Sequence, residues 1–230
     1  MGGVTDLLTD AADCAARGDT SYEEPVGRVI RMHSDALAGL IPEGDRADLQ
    51  ARLDAWVTNL DDLLHGVMLV RECTDRSRDR ILSFGELASS MLVAAALGQE
   101  GSEARVVDAR ELIVTDRTFG NAIVDRDATN AKARAIFEGP PRTTVVPGFI
   151  AATPEGDTST LGRGGSDYTA ALLGAALGAE RVEIWTDVDG VMSADPRLVP
   201  EAFSLGTLSW QWRFGWRRPD RPRGGWDPYG

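Results

Sequence analysis

The sequence predicts an α/β fold of three layers, with helices on both faces of a mostly parallel sheet. Three observations carry that expectation. Short apolar runs rich in β-branched residues alternate with helical patterns through the second half of the chain. A glycine-rich loop over residues 162–167 opens directly into a helical run. The composition, 43% hydrophobic and 26% charged over 230 residues, suits a globular chain long enough to bury a sizeable core.

Residues 5–16, rich in Ala and Leu, read as a short helix. Over residues 44–73, Leu49, Leu53, Trp56, Leu60, Leu63 and Val67 recur at steps of four and three and line one helical face. Asp45 stands before this run as an N-terminal signal. The segment is scaffold, and its carboxylates are a solvated face. Ser83-Phe84-Gly85-Glu86 then leads into a helix over residues 87–97, apolar almost all round and so buried, with Gly98 ending it. Residues 104–108 carry a strand pattern, and residues 115–125 have the character of a loop or small β-excursion. Thr129 or Asn130 is placed to cap a helix running to Phe137. Residues 143–146 read as a buried strand, which Pro147 and Gly148 break and residues 149–152 resume. Residues 154–157 mark a turn. The glycine loop feeds a helix over residues 168–177 with Gly178 past its end, and residues 181–185 form a further strand pattern. The last stretch, residues 210–230, holds four of the six tryptophans among Arg, Pro and Gly. It has no strand or helix period and is expected to be an irregular tail outside a domain spanning residues 1–209.

A net charge of −12 argues against general nucleic-acid or anionic-membrane binding, while a local phosphate site remains compatible with it. Lys132 is the only lysine and lies on what reads as a surface helix. Cys14 and Cys73 lack metal-type spacing and suggest no disulfide framework, which fits a reducing cytoplasm. The N-terminal residues show no basic region followed by an apolar run, so no signal peptide is read. The most apolar stretch, residues 91–97, is too short to span a bilayer.

Three motifs carry chemistry. In Gly162-Arg163-Gly164-Gly165-Ser166-Asp167-Tyr168-Thr169 the glycines let the backbone approach an anion, and the free N–H groups of a helix start point at it. Arg163 can hold a carboxylate bidentately. Asp167 can accept backbone hydrogen bonds, or orient a cation or an attacking group. On spacing alone, a plain glycine turn with an aspartate cap explains this motif as well. Residues 185–192, followed by Asp195-Pro196-Arg197, come after a strand pattern, where α/β sheets meet their ligands. Taken alone, this motif is explained by a polar turn with an Asp-Pro bend. Glu86 is either a dipole-matched cap at a helix start or a carboxylate able to bind an ammonium group.

Together these residues resemble the aspartate kinases. The resemblance rests on Met1-Gly2-Gly3-Val4-Thr5-Asp6, Ser83-Phe84-Gly85-Glu86, Val145 with Pro147-Gly148-Phe149, the run from Gly162 through Thr169, and Thr186-Asp187-Val188-Asp189-Gly190 with Asp195-Pro196-Arg197. It runs from residue 1 to about Ser209, in the family's order. It implies the amino acid kinase fold and transfer of the ATP γ-phosphoryl group to the β-carboxylate of L-aspartate. By resemblance, Glu86 binds the substrate ammonium group. Arg163 binds a substrate carboxylate, with Thr5, Gly164, Gly165 and Ser166 beside it. Asp167 organises charge around the phosphoryl group, and Thr186, Asp187, Gly190 and Arg197 hold ATP, with Mg²⁺ as the accompanying ion and no protein metal cluster. A homo-oligomeric parent enzyme is also implied. The alternatives are a non-catalytic ligand-binding fragment or subunit and a sister amino acid kinase acting on another acid or on a nucleotide monophosphate.

Two departures shape the expectation. The family opens on a strand ending Lys-Phe-Gly-Gly-Thr-Ser, whose lysine stabilises the phosphoryl group, and no residue here matches it. After Ser209 the family pattern stops, and the usual regulatory domains are not read. The sequence is therefore expected to be a partial catalytic domain, incomplete at its N-terminus, inactive or nearly so alone, with a tail of the composition a shifted reading frame gives.

Overall fold

The computed structural model describes residues 1–185, 190, 192–195 and 198–206. It divides into two compact units, residues 1–182 and residues 183–230. The expected tail over residues 210–230 lies outside the described residues.

In the first unit, four helices precede any strand: α1 (Val4–Ala16), α2 (Glu23–Leu40), α3 (Ala47–Val70) and α4 (Asp75–Gln99). In α1, Leu7, Leu8, Ala11, Ala12 and Ala15 are buried at helical spacing, and the small alanines let neighbouring helices come close. They join Val26 and Val29 of α2, Leu60, Leu64 and Val67 of α3, and Ile81 of α4 in one core. A second cluster joins Leu37 and Ile41 to Leu53, Met91 and Leu92.

The remaining elements of this unit are β1 (Arg105–Val106), α5 (Ala109–Leu112), α6 (Arg126–Ile136), β2 (Thr144–Val145), β3 (Ile150–Ala152), β4 (Thr158–Thr160) and α7 (Gly165–Leu177). β1 pairs parallel with β2, and β3 pairs antiparallel with β4 in register Ile150↔Thr160. Val114 bridges in parallel to Ala152, which extends the β3–β4 sheet on its other edge. All three residues of β3 are buried, and with α5, α6 and α7 they build a third core around Leu112, Ile113, Ile150 and Leu172. α4 touches α1, α2 and α3 and also all four strands, so it connects the helical layer to the sheets.

The fold class is therefore α/β and rich in helix, with short strands. Several elements differ from the sequence reading. Ser83 through Glu86 lie inside α4, which starts at Asp75 with the Thr74 hydroxyl accepting from the Ser77 N–H at 3.1 Å. Gly98 is still helical, and Gly101 carries the left-handed φ of 81° beyond the end. α4 is long and apolar enough to cross a membrane by length and composition. Here its buried polar residues Asp79, Ser83 and Ser90 are all hydrogen-bonded within the protein, as a core helix requires. α6 starts at Arg126 because Asp125 caps it, while Thr129 is buried and accepts from the Val114 N–H at 3.1 Å. α7 starts at Gly165 rather than residue 168. Asp45 makes no cap; Arg46 takes the cap position ahead of α3, and its side chain donates to the Ile41 and Ala38 carbonyls. Strand residues Thr144 and Val145 are half-buried, not buried. Residues 181–185 form no ladder among the described residues, and Val182 instead packs on α7 at Gly174. Strand preference is realised only where a partner edge is present. α2, α5 and β4 have no counterpart in the sequence reading.

In the second unit, the Ser193 N–H donates to the Phe203 carbonyl at 2.9 Å, and the Phe203 N–H donates to the Ser193 hydroxyl at 3.1 Å. Gly190, with φ of 108°, belongs to this unit.

Candidate active site

The first wall of the site is a contact between α1 and α4. A Cβ on Gly85 would stand 2.6 Å from Val4 Cγ1, so only glycine lets the two helices meet at this point. Glycine in a helix interior costs about 1 kcal/mol in propensity, which the packing of Val4 and Leu8 there offsets. The contact brings Thr5, in the first turn of α1, to the same cleft as Glu86. One turn before Glu86, Leu82 joins them. Arg78 lies lower on α4 and pairs with Asp13 of α1 at 2.6 Å, a second tie between the helices.

The second wall is the start of α7. A Cβ on Gly148 would meet Ser166 Cα at 2.8 Å, so the Pro147-Gly148-Phe149 segment lies directly on the glycine loop. Phe149 follows with φ of 70°, a left-handed conformation that a bulky residue adopts only when its surroundings impose it. Those surroundings are visible. The Phe149 N–H donates to the Thr169 hydroxyl at 3.2 Å, and that hydroxyl donates to the Gly165 carbonyl at 2.9 Å. The Phe149 carbonyl accepts from the Leu161 N–H at 2.9 Å. The strained residue thus clamps both ends of the loop. At the start of α7, the Gly165 N–H bonds to the Gly162 carbonyl and the Tyr168 N–H to the Gly164 carbonyl. The N–H groups of Ser166 and Asp167 lie between them in the first turn, where a helix offers no acceptor of its own. That is the arrangement an anion needs.

Between the walls lies a cleft of about 600 Å³, lined by Thr5, Arg78, Asp79, Leu82, Glu86, Gly120, Phe149, Thr160 and residues 162–167. Its charged groups are largely uncommitted. Glu86 is half-buried and has no hydrogen-bond or ion-pair partner among the described side chains; burial pushes its carboxyl above the ordinary 4.5, against the pull of the chain's terminal ammonium. Exposed Arg163 and half-buried Asp167 likewise have no ion pair among the described residues. Glu86 and Arg163 share the cleft without neutralising each other. Asp79 is the opposite case, 1% exposed and fully hydrogen-bonded. Burial raises its carboxyl from the ordinary 3.8, and bonds from Gly120 and Thr160 pull it partly back.

All seven residues expected from the sequence to bind substrate or act in catalysis (Thr5, Glu86, Arg163, Gly164, Gly165, Ser166 and Asp167) line this one cleft. Glu86 reaches it from mid-helix, so the alternative of a cap at a helix start is removed. Thr186, Asp187 and Arg197 lie outside the described residues, and Gly190 is described only within the second unit. Sequence reasoning missed Arg78, Asp79, Leu82, Gly120 and Thr160, and read Phe149 only as part of the resemblance, with no place in the site. Asp79 had a readable signal, standing seven residues before Glu86 and so on the same helical face. No cluster of three acidic, His or Cys side chains able to hold a metal occurs among the described residues. A hard divalent ion bound mainly by phosphate oxygens needs only one or two carboxylates, and Asp167 offers one.

The family model for the amino acid kinase family matches residues 2–211. Bifunctional aspartokinase/homoserine dehydrogenase 1, chloroplastic, of Zea mays is 36% identical over 214 residues, 92% of this chain and 23% of that protein. Aspartokinase 1, chloroplastic, of Arabidopsis thaliana is 37% identical over 159 residues, 67% of this chain and 28% of the relative. The crystal structure of Escherichia coli aspartokinase III in complex with aspartate and ADP, in the R-state, superposes with a TM-score of 0.79 at 31% identity, over 89% of this chain and 45% of that one. The chain thus spans about a quarter of the length of these curated relatives.

Proposed function

Because this chain belongs to the amino acid kinase family, we propose that it carries the amino-acid-binding part of an aspartate kinase. The reaction transfers the ATP γ-phosphoryl group to the β-carboxylate of L-aspartate: a carboxylate oxygen bonds to the γ-phosphorus, the bond to the bridging oxygen breaks, and ADP leaves. The observation that carries this reading is the pair of opposite, uncommitted charges in one cleft. A half-buried carboxylate without a partner is costly in the free protein. An ammonium group supplies the missing partner. Arg163 and the N–H groups of Ser166 and Asp167 are complementary to carboxylate oxygens. An amino acid with a second carboxylate satisfies both walls at once. Relatives named as aspartokinases, and a solved aspartokinase complexed with aspartate and ADP, support the choice of L-aspartate.

In this reading Glu86 orients the substrate through its ammonium group, and Arg163 holds and partly neutralises a carboxylate. Asp167 would hold the Mg²⁺ that arrives with ATP, and that ion would supply charge neutralisation for the phosphoryl oxygens. Phosphoryl transfer depends mostly on such positioning and charge compensation. A cytoplasmic location belongs to the same proposal; the two free cysteines fit a reducing compartment.

Calorimetric titration of the purified chain with L-aspartate, succinate and MgATP tests the reading. L-Aspartate is expected to bind, and succinate, which lacks the ammonium group, to bind at least about tenfold more weakly. Equal affinity for the two would show that Glu86 does not read the ammonium group.

A further inference from the structure

The geometry points to Asp79 as a positioning residue that fixes the glycine loop, and with it Arg163, at one set distance from Glu86. The proposal rests on the reading of the cleft as an amino-dicarboxylate site. Asp79 and Glu86 are seven residues apart on α4, two turns and about 10 Å along the same face. Glu86 is free to meet a ligand, whereas Asp79 is committed to the opposite wall. Its Oδ2 accepts from the Gly120 N–H and the Thr160 N–H, each at 2.9 Å, and its Oδ1 accepts from the Thr160 hydroxyl at 2.7 Å.

Both donors lead straight to the loop. Thr160 ends β4 three residues before Arg163. Gly120 and Asn121 abut Gly162, whose absent Cβ would stand 2.6 Å from Asn121 Oδ1 and 3.3 Å from the Gly120 carbonyl oxygen. One buried carboxylate therefore ties α4 to the two segments that flank the glycine loop. A hydrophobic residue at position 79 would serve to fill space. A carboxylate retained there at 1% exposure, bonded only to cleft-lining segments, serves to fix a span. The span matters because the ligand must reach Glu86 with its ammonium and Arg163 with a carboxylate simultaneously. The same constraint makes Asp79 a determinant of substrate length.

The test compares Thr160→Val, Thr160→Ser and Asp79→Asn in the full chain. It measures thermal midpoint, affinity for L-aspartate and L-glutamate, and the backbone amide signals of residues 162–166. Thr160→Val removes one hydrogen bond to a charged acceptor and is expected to weaken L-aspartate binding about tenfold or more, to narrow its preference over L-glutamate, and to move the loop amide signals. Thr160→Ser keeps the hydroxyl and is expected to restore all three. Asp79→Asn is expected to show the same pattern more strongly, and Asp79→Asn with Thr160→Val to add little to it. Loop amides that stay in place in both Thr160→Val and Asp79→Asn would overturn the proposal, as would a Thr160→Val variant that binds and discriminates like Thr160→Ser. If the unmutated chain binds no L-aspartate while the variants still move the loop amides, the substrate reading fails and the positioning role stands.

Discussion

Replacing Glu86 by glutamine should make the ligand-free protein more stable and the ligand-bound state weaker. The carboxylate is half-buried on α4, and no described side chain donates to it or pairs with it. Its charged form is disfavoured by burial, so its pKa in the folded chain lies above the ordinary 4.5. A carboxyl shifted in that direction favours folding only while protonated. Its contribution is complete below the ordinary value and is lost as pH rises through the elevated folded value. At pH 7 the charge is therefore a cost that glutamine, of nearly the same shape, removes. Relief of a destabilised functional group of this kind commonly returns about 0.5–2 kcal/mol, and a chain of this size gains about 2–4 °C in midpoint per kcal/mol. Binding should move the other way. Removing one member of a desolvated ion pair costs about 2–5 kcal/mol, a loss in L-aspartate affinity of roughly thirtyfold or more. Thermal unfolding of both proteins from pH 4 to 8, with titration calorimetry at pH 7, checks this. The stability difference should be largest at neutral pH and close toward acid. A Glu86→Gln chain that is less stable at pH 7 would refute the reasoning, because Glu86 would then have a stabilising partner in the free protein.

Two further outcomes follow from the walls of the cleft. Gly85→Ala should destabilise the chain by about 1–3 kcal/mol through overpacking against Val4, visible as a lowered denaturation midpoint, and should weaken L-aspartate binding more than a Gly→Ala change on an exposed helix surface. His33 is buried on α2 with its Nδ1 2.8 Å from the Val29 carbonyl oxygen and its Nε2 without a partner; burial, opposed by nearby carbonyls, holds its pKa below the ordinary 6.5. The stability it confers is present above the ordinary value and lost as pH falls through the depressed folded value, so His33→Phe should flatten the acid limb of a stability–pH curve; an unchanged limb would exclude His33 as its source.

The parts of the site that lie within short motifs were legible in the sequence. Arg163, Ser166 and Asp167 could be located because a glycine-rich loop opening a helix is a local arrangement, dictated by residues adjacent in the chain. Glu86 was legible as chemistry but not as structure. Ser83-Phe84-Gly85 looks like a lead-in to a helix, because glycine and serine have modest helix propensity. The helix runs through them since Gly85 is where α1 packs, a contact between residues about eighty positions apart. Missing that continuity also hid Asp79, whose relation to Glu86 appears only on one unbroken helix. α2 went unread because its buried residues, Val26, Val29, His33 and Leu37, include a histidine and are diluted by charge.

By itself, then, the sequence determined the α/β class, the amphipathic scaffold of α3, the helix behind the glycine loop and Glu86, Arg163 and Asp167 among the charges of the cleft. The tertiary structure alone decided which of those charges would be neutralised. Asp79 and Arg78 are satisfied by partners brought from distant segments, and Glu86 and Arg163 are left uncommitted in the same cleft. The physical reason is that propensity and periodicity act between near neighbours, whereas the solvation of a charge depends on every group that folding brings within a few ångströms of it.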